Sequence, residues 1–236
     1  MGKRAVLLWS LPLLGLGCAV LSPPSGEPAP QPAAVDTVEP ADPLKLAAEC
    51  LERGDDAAAR PHLARYIAAH PDHVAIRVHL AEVLMRTGRR TEAQREFERY
   101  VADAQGAGAD QHLIHVHTRL VEIAAADGDA YRERLHRGIG LFLLAKQVQA
   151  KQEDGGPEPE KLLFKAAAEL KEAAKANPDD ARAYWYSYEV WVHLGQSLPA
   201  RTSLRRARDC APLSDLTSAE REGLSAACEG EFATLR

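Results

Sequence analysis

The sequence has few aromatic residues and no strand-like patterning. Aromatic side chains make up 6% of 236 residues, and no segment shows a convincing alternation of valine or isoleucine with polar residues, which argues against a β-sheet domain. Residues 44–233 instead hold long stretches rich in alanine, leucine, arginine and glutamate, which favour helices. The net charge of −5 disfavours nucleic acid as the main partner, because binding to phosphates needs a basic surface. The composition therefore predicts a nearly all-helical protein.

Catalytic and cofactor motifs are also lacking. No serine-histidine-acid order or zinc-protease motif occurs, and the segment HRGIGLFLLA has neither the preceding strand nor the lysine of a phosphate-binding loop. Its Gly138 and Gly140 instead indicate close packing or a bend in a helix. His112, His115 and His117 lie close together, but nothing in the sequence identifies the further ligands of a tetrahedral metal site, so we interpret them as solvated or partly packed. We expect no enzyme activity, no metal and no cofactor.

The first residues have the pattern of an export signal. Lys3 and Arg4 precede an apolar run from Ala5 to Leu16, which is too short to span a bilayer comfortably. The run leads into GLGC, which resembles the lipobox of bacterial lipoproteins, where cleavage leaves an acylated cysteine as the new first residue. Cleavage at that point would remove two basic residues and no acidic residue, so the net charge would fall from −5 to −7.

The lipobox resemblance centres on Cys18. Gly17 and Cys18 match the motif, whereas Gly15 replaces its usual leucine. The resemblance implies a signal peptide over residues 1–17, lipidation of Cys18, a membrane anchor and a place in the bacterial cell envelope; Ala19 implies the outer membrane where the cell has two. Two alternatives stay open. Gly17 and Ala19 also have the spacing of an Ala-x-Ala-like cleavage site, which would give a soluble exported chain, and the signal would otherwise stay uncleaved as an anchor.

Residues 18–42 are rich in proline and alanine. Repeated prolines favour an extended polyproline conformation and leave too little apolar surface to fold. At about 3.1 Å per residue, such a segment would hold a domain up to roughly 70 Å from a membrane. We therefore interpret it as a disordered tether; a plain disordered leader without a lipid is the alternative.

A self-comparison at a spacing of 34 residues gives the strongest signal in the chain. The segment from Leu46 aligns with the segment from Leu80, and a third segment in the same frame follows from Tyr184. The matched pairs in the first two segments are Leu46 with Leu80, Ala47 with Ala81, Gly54 with Gly88, Ala59 with Ala93, Leu63 with Phe97 and Tyr66 with Tyr100. Small residues allow the two helices of a unit to approach closely, and glycine ends a helix at low conformational cost.

This pattern resembles the tetratricopeptide repeat, a helix-turn-helix unit with a closing proline. The resemblance implies an all-α fold, a right-handed solenoid of helical hairpins over residues 43–236. We expect clear repeats at about 40–73, 74–107 and 181–214, irregular helices within 109–177 (at about 109–126, 129–150 and 159–176), and a C-terminal capping helix at 217–233. The cap begins with a capping-box pattern of Thr217 and Glu220.

The resemblance also implies a function, because the first helices of such repeats line a concave groove. We expect a non-catalytic scaffold that binds a peptide or protein of unknown identity. Arg86 and Arg182 are expected to steer an acidic segment, and Trp185 is either a groove anchor or a core residue. An assembly factor or pilotin-like lipoprotein of an envelope complex is the alternative, followed by a small-molecule binder or an enzyme. The predicted groove residues are Val78, Glu82, Met85, Arg86, Arg182, Trp185, Glu189 and His193.

The remaining cysteines divide by environment. Cys50 falls at a packing position of the first repeat and is interpreted as a small buried residue. Cys210 and Cys228 lie on adjacent predicted helices, and an exported protein meets oxidising surroundings. They are therefore a candidate disulfide.

Overall fold

The computed structural model describes residues 42–107, 112–151 and 158–233. These residues form helices and connecting turns with no strand. The predicted signal peptide, Cys18 and all but the last residue of the tether lie outside them. The helices are α1 (Pro43–Glu52), α2 (Asp56–Ala69), α3 (Ala75–Arg86), α4 (Arg90–Ala107), α5 (Leu113–Asp127), α6 (Ala130–Lys151), α7 (Pro159–Ala176), α8 (Ala181–His193), α9 (Ser197–Cys210) and α10 (Ser218–Ala233). The all-α prediction is confirmed.

Neighbouring helices pair as hairpins, with α1 against α2, α3 against α4, α5 against α6 and α8 against α9. Four glycines in the left-handed region make the turns within these hairpins: Gly54, Gly88, Gly128 and Gly195, with φ between 68° and 76°. The glycine turn between α5 and α6 shows that the irregular segment contains one hairpin of the same kind. Helix α7 packs against α6 more extensively than α5 does, and it also packs against α8, so α5, α6 and α7 form a group of three helices rather than a simple hairpin.

Buried alanines allow the close approach within the first two hairpins. Ala47, Ala59, Ala81 and Ala93 are completely inaccessible to solvent. In the irregular segment Gly138 has this role, because a Cβ atom there would lie 2.7 Å from Cγ of Leu170 on α7. The sequence prediction of close packing at Gly138 is confirmed.

Side chains cap several helix starts. Asp42, Asp55 and Asp180 each accept a hydrogen bond from a backbone N–H in the first turn of α1, α2 and α8, which stabilises a helix end that otherwise has unpaired donors. At the start of α10, Thr217 N–H donates to Glu220 at 2.8 Å and Glu220 N–H donates to the Thr217 hydroxyl at 3.2 Å. The predicted capping box is confirmed.

The buried residues form two apolar clusters. The first runs from α1 to α5 and includes Phe97 and Tyr100; the second runs from α6 to α10 and includes Leu170 and Trp185. Leu143 on α6 packs against both. The contact between α5 and α6 is therefore the junction of the two clusters.

Helix α10 packs against α8 and α9, and it also reaches back to α4. It approaches α8 closely, because a Cβ atom added at Gly223 would lie 2.8 Å from the ring of Trp185. The helix thus does more than cover the last hairpin, which is all that the sequence predicts for it: it connects the C-terminal cluster with the second repeat.

Candidate functional site

Helices α3 and α5 present a charged network centred on Glu82. The Glu82 carboxylate accepts hydrogen bonds from Arg119 at 2.8 Å and 3.2 Å, and one of its oxygens lies 2.8 Å from Nε2 of His115. Burial alone would raise the pKa of Glu82, but the hydrogen bonds from Arg119 and His115 outweigh it and hold the pKa below its usual value. Glu82 is therefore ionised and already bound within the chain at neutral pH.

The two arginines predicted to attract an acidic partner are also paired. Arg86 binds Asp56 through two hydrogen bonds of 2.7 Å, a bidentate geometry that is stronger than a single contact. Arg182 binds the N-cap carboxylate of Asp180 at 2.7 Å. Their pairing leaves each of these cations with little unsatisfied charge for a ligand.

The other predicted groove residues lie at different depths. Val78 is buried in the first apolar cluster, and Met85 is half-buried against the same cluster. His193 is exposed, with Nδ1 lying 2.9 Å from the backbone oxygen of Glu189, and its ring meets the edge of Phe142. Trp185 is 8% exposed, which makes it mainly a packing residue, although one part of it lines a cavity.

That cavity has a volume of about 510 Å³ and lies between α5, α6, α8 and α10. Its wall is mostly apolar, and polar groups from several helices converge on it, which is the usual composition of a ligand pocket. Lining side chains are Leu113, Ile114, Ile139, Phe142, Leu143, Trp185, Tyr186 and Ala219, with His117, Lys146, Gln147, Glu189 and Glu220 as the polar groups. Of the predicted groove residues, the structure brings only Trp185 and Glu189 to it.

Glu189 is a half-buried acidic residue of this cavity that is not neutralised by a neighbouring side chain among the described residues. Its side chain is half-buried, and its carboxylate makes no hydrogen bond or ion pair with the residues that the structure describes. Burial raises the pKa of Glu189, against a weaker opposing effect of His193 and Lys146. Lys146 itself is exposed and lies 5.5 Å from the centroid of the Phe142 ring.

A pair of buried histidines lies behind the cavity, where α5 meets α6. Nδ1 of His117 is 3.1 Å from Nδ1 of His136, and burial lowers the pKa of His117 to about 4. Burial and then the neighbouring His117 lower the pKa of His136 well below its usual value. Both rings are therefore neutral at pH 7. Nε2 of His117 has no hydrogen-bond partner among the described residues.

The sequence analysis missed His117 and His136 as a pair and missed Phe142 and Lys146 as cavity residues. One signal was present for His117: on α5 it lies among Leu113, Val116, Leu120, Ile123 and Ala124, which are all buried. A histidine within such an apolar stripe is expected to face the core. The prediction that it is solvated or partly packed is wrong, because its ring is almost completely buried.

The residues that the structure describes contain no group of three or more histidine, cysteine, aspartate or glutamate side chains arranged to hold a metal ion. None of the helices among them has the length and apolarity to cross a bilayer.

Cys50 and Cys210 are buried. The structure records Cys210 and Cys228 without a disulfide between them, so their pairing stays a prediction.

Comparison with known families decides the repeat assignment. The family model TPR_19, tetratricopeptide repeat, matches residues 51–114. This segment is similar to tetratricopeptide repeats. It spans the hairpin of α3 and α4 together with parts of the hairpins on either side, so the 34-residue frame deduced from the sequence is confirmed there. Such repeats are typical of protein-interaction scaffolds. No curated protein sequence matches the chain.

Several solved structures of tetratricopeptide-repeat and other proteins are similar to the chain. One is "Crystal structure of MamA protein", with 12% identity and a TM-score of 0.36, covering 71% of this chain and 89% of that one. A second is TTC0263, a thermophilic repeat protein from Thermus thermophilus, with 18% identity and a TM-score of 0.32, covering 70% and 71%. A third is YrrB, described as a repeat protein with an unusual peptide-binding site, with 13% identity and a TM-score of 0.35, covering 76% and 89%. At these scores the likeness carries no argument of its own, and the fold follows from the helix pairing within the chain.

Proposed function

We propose that the protein is a non-catalytic interaction scaffold that binds a peptide or protein on the face formed by α3, α5 and α8. The observation that supports this proposal is the stack of helical hairpins with a repeat-family match. A helical hairpin has an apolar face that its own two helices cannot cover, so such hairpins stack on their neighbours; here the Glu82–Arg119 hydrogen bond joins the first helices α3 and α5. A row of parallel first helices is a surface on which an extended or helical segment can lie.

The polar groups of this face are arranged in advance of binding. Glu82 is held by Arg119 and His115 from the neighbouring hairpin, and Arg86 is held by Asp56. Side chains that are already fixed lose less conformational freedom when a partner arrives, which favours affinity. Half-buried Met85 offers a flexible apolar contact beside them.

The scaffold is, in this proposal, exported and tethered. Cys18 carries the lipid and residues 18–42 form the tether; the first described helix, α1, begins at Pro43, directly after its Asp42 cap. The protein would then act in the bacterial envelope, at the outer membrane of a two-membrane cell. An assembly factor or pilotin-like lipoprotein for an envelope complex is the alternative to a general scaffold.

Cross-linking in cells, followed by solubilisation and affinity purification of the full chain, tests the proposal. One partner in stoichiometric amount is expected for an assembly factor, and several weaker partners for a general scaffold. The variant Cys18→Ser is the matched comparison, because it keeps the helical domain and removes the proposed anchor. A wild-type chain that retains no protein under these conditions would contradict the scaffold function.

A further inference from the structure

The charges of the predicted groove do not favour the acidic partner that the sequence suggested. Arg86 and Arg182 are each neutralised by an aspartate of the same chain. The half-buried carboxylate of Glu189, in contrast, lacks a hydrogen-bond or ion-pair partner among the described residues. A carboxylate partly removed from water and left unpaired is unfavourable, and a cation placed beside it relieves that cost.

The surroundings of Glu189 determine what else such a ligand must carry. Phe142, Leu143 and Trp185 give the cavity an apolar wall, which gains free energy when an apolar group displaces water from it. The volume of about 510 Å³ exceeds that of a single side chain. His117 also lines the cavity, and its Nε2 is buried and has no hydrogen-bond partner among the described residues.

Lys146 is the one cationic side chain among the described residues of the cavity wall. Its charge does not change the preference of the cavity for a ligand that carries a positive group. It is exposed, so its ammonium group is hydrated and needs no anion from a ligand. It also lies against the ring of Phe142, where the electron-rich face already attracts it. A counter-charge is therefore needed by half-buried Glu189 rather than by Lys146.

We infer that the cavity between α5, α6, α8 and α10 is the anchor site of the scaffold, and that its partner inserts a large apolar side chain with a neighbouring lysine or arginine that pairs with Glu189. The inference rests on the proposed function and specifies the partner: a segment of protein with an apolar residue beside a basic one. The net charge of the chain, −5 before and −7 after cleavage at Cys18, favours the approach of a basic segment over an acidic one.

Two labelled, capped peptides serve as probes. Both contain a leucine and a tryptophan, followed in one by lysine and in the other by glutamate. Their binding to the full chain in detergent is measured by fluorescence anisotropy at low salt. The lysine peptide is expected to bind at least about fivefold more tightly, because its charge pairs with a partly desolvated carboxylate.

Matched variants locate the binding. Glu189→Gln keeps the size of the side chain and is expected to reduce the preference for lysine to less than about twofold, since the ion pair is lost and the apolar contact is kept. Glu160→Gln removes the same charge from an exposed position on α7 and is expected to change nothing. Ala219→Phe fills the cavity from α10 and is expected to abolish binding, whereas Ala226→Phe on the exposed side of α10 is not.

The outcomes separate this inference from the proposed function. Equal binding of both peptides, or unchanged binding by Ala219→Phe with intact helicity, would overturn the anchor site. If Ala219→Phe and Glu189→Gln retain the cross-linked cellular partner as the wild type does, the scaffold function stands and the anchor site is wrong. Binding of 3-phenylpropylamine without binding of either peptide would assign the cavity to a small molecule and overturn the inference. Absence of both a cellular partner and peptide binding would contradict both.

Discussion

Nδ1 of His117 and Nδ1 of His136 lie 3.1 Å apart at the junction of the two apolar clusters. At this distance one ring donates the hydrogen bond and the other accepts it, so the accepting ring must be neutral; burial lowers the pKa of both rings and keeps the donating ring neutral as well. An added proton would place a positive charge in a buried site, and the nearby cations Arg132 and Arg182 oppose such a charge on His136.

The first prediction is therefore a loss of stability in mild acid. The unfolded chain takes up a proton at each histidine near its usual pKa of about 6.5, whereas the folded chain resists until the pKa of His117 at about 4. The stabilisation is thus complete above pH 7 and is lost as the pH drops from about 6.5 towards 4, by about 3 kcal/mol for His117 alone. Urea unfolding between pH 7 and 5 measures this slope, in a range where the carboxylates stay largely ionised.

Two variants serve as controls for the pH dependence of the free energy of unfolding. His117→Gln keeps a hydrogen-bonding group beside His136 and should flatten the slope, whereas His79→Gln, at an exposed position, should leave it as in the wild type. A flat wild-type profile between pH 7 and 5 would show that the pair is accessible to protons in the folded state.

The second prediction concerns the anchor. If Cys18 is acylated, the mature protein partitions into detergent, and Cys18→Ser releases it or blocks its processing. Intact mass spectrometry of the mature chain decides between the three signal-peptide alternatives. An unmodified chain that starts at Val20 would contradict the lipoprotein assignment.

The third prediction tests the close helix contacts. Ala93 on α4 is completely buried, so Ala93→Trp overpacks the hairpin of α3 and α4 and should lower the free energy of unfolding by about 1–3 kcal/mol or more. Thr91→Trp, two residues earlier on the exposed side of α4, is the control. Thermal melts followed by circular dichroism compare the two, and equal melting temperatures would argue against the repeat frame.

The fourth prediction separates the two arginine pairs. Arg182→Glu sets a second carboxylate beside the buried Asp180, so we expect it to cost about 2 kcal/mol of stability. Arg86→Glu faces Asp56 at a surface where half of the arginine side chain is in water, and its cost should stay below about 1 kcal/mol. Denaturant melts give both values. A charge reversal at Arg182 therefore disturbs the fold as well as the groove, and an Arg86 variant is the better probe of binding.

The fifth prediction concerns the capping box of α10. Thr217→Ala removes the acceptor of the Glu220 N–H and should destabilise the helix by about 1 kcal/mol. Hydrogen exchange should then rise first in α10 and at Trp185, which packs on it. Faster exchange in α1 and α2 alone would place the weakest region at the other end of the array.

The repeat frame was predictable from the sequence because it depends on residue types at fixed short spacings, namely turn glycines and small residues at helix contacts. Turns with a positive φ favour glycine, and they occur at Gly54, Gly88 and Gly195. Small buried residues recur where the helices of a hairpin are in contact, as at Ala47 and Ala81. The positions of α5, α6 and α7 were also predictable to within a few residues, because their apolar period is strong. The predicted start of α5, at 109, lies outside the described residues; the helix as described begins at Leu113.

The cavity was not predictable in the same way. It forms where four helices from distant parts of the sequence meet, and α10 approaches Trp185 only because Gly223 has no side chain to prevent it. No local sequence pattern predicts which of these helices pack against one another. The pairing of Arg86 with Asp56 was hidden for a similar reason, since it joins different hairpins.

The contact of α10 with α4 changes how the chain must fold. In an open array each hairpin contacts only its neighbours, so folding can begin at any point and spread, and the ends fray independently. A helix from the C-terminus that packs on the second repeat couples regions that such an array would leave separate. Long-range contacts slow folding, because much of the chain must be ordered before they form. Helix α10 therefore completes a structure begun at the second repeat, and the array reaches its final stability only once α10 has docked on α4.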